Sequence, residues 1–101
     1  MMYVRAATVN IRPGKMRGVI DLHNDSLVPA AKAQKGWRGS YLMTDAGNGK
    51  ILSITIWESE AAMLASESGS GYLKEQVAKF DSVYAEPPHF DHYELSVEAS
   101  A

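Results

Sequence analysis

The chain contains no cysteine, which excludes a disulfide framework, a thiol nucleophile and a thiolate metal site. It also lacks an apolar run of the roughly 18 residues that a membrane-spanning helix needs. Neither sign of charge dominates, because 10 basic and 12 acidic residues leave a formal net charge of −2. The composition therefore does not indicate a basic surface for binding nucleic acid. Residues 1–5 alternate in polarity and do not form the core of a signal peptide. We therefore expect a small cytoplasmic protein with a single domain over residues 1–101.

Apolar and turn residues predict elements in the order β-α-β-β-α-β. The glycines and the asparagine of residues 46–49 tolerate the positive φ of a tight hairpin and join the two middle strands. This order is typical of the ferredoxin-like α+β fold, a four-stranded antiparallel sheet with helices on one face. The strands are predicted at residues 3–11, 37–45, 50–58 and 89–97.

Three segments have helical periodicity. The first begins at Lys15 and ends by residues 35–36, with a break or kink expected at Pro29 because proline donates no backbone hydrogen bond. A short helix at 60–67 follows Ser59, a suitable N-cap. The last segment carries Leu73, Val77, Phe80 and Tyr84 on one face.

The third predicted strand is apolar on both sides. Helices cover only one side, and leaving three aliphatic side chains in water on the other would forgo roughly 1.5–3 kcal/mol each. An identical subunit is the simplest cover, so a homodimer through the sheet faces is expected. The two sides carry Leu52, Ile54 and Ile56, and Ile51, Thr55 and Trp57.

Several motifs are shared with a known family: residues 13–15 (PGK), 34–39 (QKGWRG), 52–62 (LSITIWESEAA) and 93–95 (YEL). With them the chain resembles the antibiotic biosynthesis monooxygenase family over about residues 3–97. The resemblance implies a dimeric α+β barrel. Its relatives include quinone-forming oxygenases, haem-degrading enzymes and isomerase-like proteins, so it leaves the chemistry open.

Two branches of the family can be compared position by position. The Asn, Trp and His of the haem-degrading members fall on Ala7, Ser66 and Gln76, which argues against that activity. The Asn and Trp of the quinone-forming members fall on Ser53 and Trp57, so only the Trp is kept.

In the same branch a Tyr falls on Met63, which has no hydroxyl. The resemblance thus implies the location of a substrate pocket around Ser53, Trp57 and Met63, and Tyr72 and Phe80 are expected to line the same space. Trp57 would stack on a flat aromatic substrate. The alternative is that these apolar side chains are ordinary core residues.

His23 lies at the centre of an apolar helix face, so its ring is expected to point towards the sheet. Histidine is well suited to proton transfer near neutral pH, and we predict that His23 is a base that removes a phenol or activated C–H proton. The alternative is a buried histidine that bonds a backbone carbonyl or a neighbouring side chain.

A metal site at His89, Asp91 and His92 is not expected. On a strand His92 and Asp91 point to opposite faces, and a metal needs three or four converging ligands.

The sequence therefore favours a cofactor-independent monooxygenase that oxidises a small electron-rich aromatic, of the hydroquinone or polyphenol type, with O₂. Two alternatives stay open. One is a dimeric module that binds a small hydrophobic ligand without transforming it, and the other is an isomerase-like enzyme that uses the same pocket.

Overall fold

The computed structural model describes residues 1–69 and 71–101 and contains the predicted order of strands and helices. The helical regions are divided into more pieces than the sequence pattern indicated. The elements are β1 (Tyr3–Asn10), α1 (Met16–Leu22), a π-helical segment (His23–Leu27), α2 (Val28–Lys32), β2 (Trp37–Asp45), β3 (Lys50–Trp57), α3 (Glu60–Ser68), α4 (Tyr72–Phe80) and β4 (His89–Glu94).

The four strands form one antiparallel sheet in the order β2-β3-β1-β4. This order confirms the predicted ferredoxin-like α+β fold. The hairpin between β2 and β3 turns through residues 46–49, and Gly49 adopts a φ of 62°, which favours glycine because it has no Cβ. None of the helices in residues 1–69 and 71–101 has the length and apolar character needed to cross a bilayer.

The two faces of the sheet differ in how well they are covered. Along β3, Ile51, Ser53, Thr55 and Trp57 are buried beneath the helices, whereas the alternate residues are half-buried on the other face. The prediction that this strand is apolar on both sides is confirmed. The open face carries Leu52, Ile54 and Ile56, together with the exposed Tyr41, Met43 and Tyr93.

The first helical region does not break at Pro29. The backbone N–H of Val28 instead donates to the carbonyl of His23, five residues earlier, so the helix widens into a π turn before the proline. Proline lacks the N–H that a regular helix would require here, and the widened turn lets the helix continue to Lys32. The sequence predicted a break or a kink at Pro29; the helix does not break there, its regular hydrogen bonding is interrupted by the π turn just before the proline, and the expected end before residues 35–36 is confirmed.

The later elements follow the predictions with shifted ends. Ser59 caps α3, since its Oγ accepts a hydrogen bond from the N–H of Ala62 at 3.1 Å. Tyr84 lies beyond the end of α4 and forms a bridge with Ile11, so it is not part of the predicted helix face. The last strand ends at Glu94 instead of residue 97.

Two groups of buried side chains lie between the helices and the sheet. One surrounds Phe80 and Val19, and the other surrounds Trp57 and Tyr72. The residues that line the candidate site include members of both groups, so the site lies where the two groups meet.

Candidate functional site

A cavity of about 40 Å³ lies between the sheet, the π-helical segment and α4. Its lining is largely apolar, with five polar side chains from β1, β3 and α4 and a sixth, Tyr84, from beyond the end of α4. Small-molecule sites commonly combine an apolar wall with a few placed polar groups. The lining residues are Arg5, Ala7, Leu27, Ser53, Thr55, Tyr72, Leu73, Gln76, Val77, Phe80, Tyr84, Pro88 and Phe90.

The strand register brings the polar groups of the sheet together. Arg5 is paired with Thr55, and Ala7 is paired with Ser53, across the adjacent strands β1 and β3. Side chains two apart on a strand point to the same face, so all four face the helices. The floor of the cavity is thus built from β1 and β3, the two central strands.

Arg5 is the charged group of this floor, and its side chain is only 3% exposed. Its Nη1 donates to Ser66 Oγ at 2.8 Å, to the Met63 carbonyl at 3.4 Å and to Glu67 Oε2 at 3.1 Å. The guanidinium also lies 5.4 Å from the centre of the Trp57 ring, within the range of a cation–π contact. A buried charge requires such partners, because desolvation is otherwise very costly.

Glu67 connects Arg5 to the surface. The same Oε2 that accepts from Arg5 lies 2.8 Å from Nε2 of His92, whose side chain is 42% exposed. His92 is paired with Arg5 in the register of β1 and β4 and lies on the same face of the sheet. One carboxylate oxygen therefore serves both a buried cation and a surface imidazole.

Helix α4 supplies the polar groups opposite the sheet. Burial raises the pKa of Tyr72, while the charge of Arg5 and a hydrogen bond with it lower that pKa. Gln76 is buried, and its Oε1 accepts from Ser26 Oγ at 3.1 Å, which ties α4 to the π-helical segment. Burial also raises the pKa of Tyr84 to about 12, so its phenol is neutral at physiological pH.

Three residues of the pocket predicted from the sequence lie together in this cavity: Ser53, Tyr72 and Phe80. Trp57 and Met63, at 0% and 1% exposure, are not among the residues that line this cavity. Their predicted contact with a substrate stays a prediction.

Trp57 and Met63 instead support the lining residues. The indole Nε1 of Trp57 donates to Thr55 Oγ1 at 3.0 Å, and its ring contacts Tyr72 edge-on, with the two ring centres 6.3 Å apart. The carbonyl of Met63 accepts hydrogen bonds from Arg5 and from Ser66. Both residues hold neighbours that face the cavity.

His23 is buried as expected, at 6% exposure, but it lines a different space. This outer groove, of about 420 Å³, runs between the first helical region and the edge strand β2 and is lined by Ser40, Leu42 and Thr44 of that strand. Burial lowers the pKa of His23 below its ordinary value, so its imidazole is neutral at pH 7. The structure does not bring His23 together with Ser53.

The carboxyl-terminal histidines are arranged as the strand pattern predicted. His89 lies 3.2 Å from Asp91 on the open face of the sheet, while His92 contacts Glu67 on the helix-covered face. Within the part of the chain that the structure describes, no cluster of three or more His, Cys, Asp or Glu side chains is placed to hold a metal ion.

Sequence reasoning missed Arg5 and Gln76 as cavity residues. An arginine in a strand usually reads as a solvent-facing residue, and Gln76 was considered only as the position where a relative has histidine. One pattern in the sequence could have found Arg5: it alternates with Ala7 and Val9, so a charged residue stands in the apolar row of β1.

The fold and the cavity define a class of α+β domains that enclose a small, mostly apolar site between one sheet and its helices. The chain belongs to the antibiotic biosynthesis monooxygenase family, whose model matches residues 2–78. No curated protein sequence matches the chain.

Solved structures share the fold at low sequence identity. The monooxygenase from the gene ActVA-Orf6 of Streptomyces coelicolor, solved with the ligand nanaomycin D, has a TM-score of 0.80 and 14% identity, over 98% of this chain and 92% of that one. Rv0793 of Mycobacterium tuberculosis has a TM-score of 0.76 and 20% identity over 99% and 100% of the two chains. The haem-degrading protein Rv3592 of the same organism has a TM-score of 0.69 and 17% identity over 99% and 100%. At these identities the likeness concerns the fold.

Proposed function

We propose that this chain is a cofactor-independent monooxygenase that oxidises a small electron-rich aromatic, such as a hydroquinone or an anthrone, with O₂. The observation that carries the proposal is the central cavity. It combines apolar walls with hydrogen-bonding groups at its floor, in a chain that belongs to a family named for monooxygenases. The substrate oxygen would lie inside the cavity towards Ser53, beside Phe80 and Tyr72, with the ring system extending towards the mouth.

In this reaction the protein has two tasks, which are to promote ionisation of the substrate and to enclose it away from water. Loss of a proton gives an electron-rich anion, which transfers one electron to O₂. The resulting substrate radical and superoxide combine to a peroxide, and for an anthrone the loss of one water then leaves a quinone, so the second oxygen atom leaves as water. Hydrogen-bond donors aimed at the substrate oxygen stabilise the anion in a site that excludes water.

Oxygen uptake by the purified protein with a panel of hydroquinones and anthrones tests this activity. We expect one O₂ to be consumed for each anthrone converted to quinone. Replacing Ser53 by Ala should slow turnover, whereas Ser82→Ala, at an exposed position, should not. Absence of O₂ consumption with every substrate would contradict the proposal.

His23 is tested separately as the predicted base, because it lines the outer groove. A positioned base contributes about 10²–10⁴ in rate, so His23→Ala should lower turnover about tenfold or more if His23 accepts the proton. His89→Ala, on the open face of the sheet, is the matched control. Unchanged turnover in His23→Ala would remove His23 from the mechanism.

A second function, ligand binding without reaction, is favoured by the replacement of the family's Asn and Tyr by Ser53 and Met63, and for either function the cavity must widen. A cavity of about 150 Å³ accommodates benzene, and this one measures about 40 Å³. A whole ring therefore enters only if half-buried side chains at the mouth, such as Leu73 and Phe90, move aside. Tight retention of an aromatic ligand without O₂ uptake would support binding alone, and anaerobic conversion of the ligand would identify an isomerase.

We also propose that two copies associate through the open faces of their sheets and that the protein is cytoplasmic. The half-buried row of β3 and the exposed Tyr41, Met43 and Tyr93 support the association, since together they form an apolar surface. Light scattering on a size-exclusion column should give twice the mass of the 11.0 kDa chain. Ile54→Lys should yield a monomer, and a monomeric wild type would contradict this assembly.

A further inference from the structure

We propose that the central cavity selects anionic aromatic ligands and that Arg5 is the residue that makes this selection. The inference rests on the proposed function for placing the substrate in this cavity, and it deepens that function by assigning the substrate an ionised oxygen. It starts from one observation: a permanently charged side chain lines a cavity whose other walls are largely apolar.

The charge of Arg5 is only partly balanced by its own partners. Glu67 is the carboxylate that contacts it, and that side chain is 24% exposed, so water screens it far more than the 3%-exposed Arg5. The contacting oxygen of Glu67 is also shared with His92. Because its counter-charge is divided and partly solvated, we infer that the positive charge of the guanidinium is only partly offset at the cavity that Arg5 lines.

Among the described residues that line the cavity, none is a carboxylate that would compete with an anionic ligand. The polar groups beside Arg5 in the lining are hydroxyls and one amide, from Ser53, Thr55, Tyr72, Gln76 and Tyr84. Hydroxyls and amide N–H groups donate hydrogen bonds to an oxyanion. The floor of the cavity is therefore suited to a negatively charged oxygen and much less to a neutral carbonyl.

The cavity volume agrees with an ionised group at its inner end. By the measure in which one water fills roughly 10–15 Å³, about 40 Å³ holds a carboxylate or the oxygen of a phenolate, and not an aromatic ring. The ring would then lie towards the mouth, where Leu73 and Phe90 are half-buried and apolar.

Benzoate and benzamide test the inference, because they have nearly the same shape and differ in charge. Their affinities are measured by titration calorimetry under nitrogen, without a reaction. Charge-assisted hydrogen bonds are worth about 1.5–3 kcal/mol, so wild type should bind benzoate about tenfold or more tightly than benzamide. Equal affinities, or no measurable binding of either compound at millimolar concentration, would overturn the inference.

Two variants assign the preference to Arg5. Arg5→Gln should abolish the preference for benzoate, whereas Glu67→Gln, which removes the competing carboxylate, should tighten benzoate binding by about threefold or more. Loss of benzoate affinity in Glu67→Gln would count against the inference even if Arg5→Gln fails to fold. The controls are Arg38→Gln and Glu58→Gln, since these residues form an exposed ion pair at 3.6 Å that does not line the cavity.

The binding experiment is independent of the oxygen-uptake experiment. A benzoate preference that depends on Arg5, together with no O₂ uptake, would retain the anion site and exclude the monooxygenase. O₂ uptake without any charge preference would retain the monooxygenase and exclude the role of Arg5.

Discussion

Two basic side chains are buried between the helices and the sheet, and their surroundings are different. Arg5 has a carboxylate, a hydroxyl, a carbonyl and an aromatic face around its guanidinium. His23 is almost equally buried, but the described part of the chain supplies no charge that offsets its desolvation, and its pKa is lowered. The comparison teaches that a buried arginine, which stays protonated in proteins, requires partners that offset its desolvation, whereas a buried histidine avoids this cost by staying neutral.

The largest expected effect on stability comes from removing the charge of Arg5. Arg5→Met leaves Glu67 without its buried partner and should lower the free energy of unfolding by about 3 kcal/mol, as breaking a buried ion pair does. Arg5→Lys keeps the positive charge but not the planar guanidinium with its several N–H donors, so the free energy of unfolding should fall by less than in Arg5→Met. Urea denaturation at neutral pH measures both, and a loss below about 1 kcal/mol in Arg5→Met would mean that the partners of Arg5 contribute little.

A middle-sized effect is expected at Ser66. Its hydroxyl accepts from Arg5 and donates to the carbonyl of Met63 at 2.6 Å. Ser66→Ala should lower the free energy of unfolding by about 1.5–3 kcal/mol, the range for hydrogen bonds to charged groups. Ser68→Ala is the matched control, since Ser68 is exposed on the same helix and its hydroxyl donates to the backbone carbonyl of Leu64. Equal losses in the two variants would argue against a special contribution from Arg5.

The smallest effect belongs to His23 and depends on pH. An unfolded histidine titrates near pH 6.5, and burial lowers the pKa of His23 in the folded chain. Below about pH 6.5 the unfolded state therefore binds more protons, so the stability of wild type is complete above this pH and falls as the pH is lowered.

His23→Gln removes this contribution and should be relatively more stable at pH 5 than at pH 8 when compared with wild type. Thermal or urea unfolding at the two pH values measures the difference. The other histidines, His89 and His92, are present in both proteins and cancel. A wild-type to variant difference that does not change with pH would show that His23 is protonated equally in both states.

Much of the fold could be predicted from the sequence because it depends on local patterns. The apolar, β-branched run of β3, the glycines of the hairpin and the cap at Ser59 each specify one short element, and the order of the elements specifies the sheet. The site was predicted less well. A helical face shows that His23 points to the sheet, but it does not show whether the helix lies over the edge strand or over the central strands.

Trp57, a residue of the sheet, also shows that a sequence pattern predicts burial but not the position of a cavity. Its position on the buried face was correct, yet whether a buried side chain borders a cavity depends on the side chains packed around it, here Tyr72 and Thr55. Arg5 was missed for the opposite reason, because its residue type suggests solvent and only its three-dimensional partners make burial possible.

The π-helical segment also determines how the first helical region faces the sheet. Val19 and Ala31, on either side of it, are both fully buried. In a regular α-helix twelve positions would separate them by about 120° around the axis, whereas one residue absorbed by the π turn reduces this angle to about 20°. The segment thus absorbs one extra residue without changing which face of the helix meets the core, and deleting one of its residues should give a regular α-helix in which Val19 and Ala31 both still face the sheet.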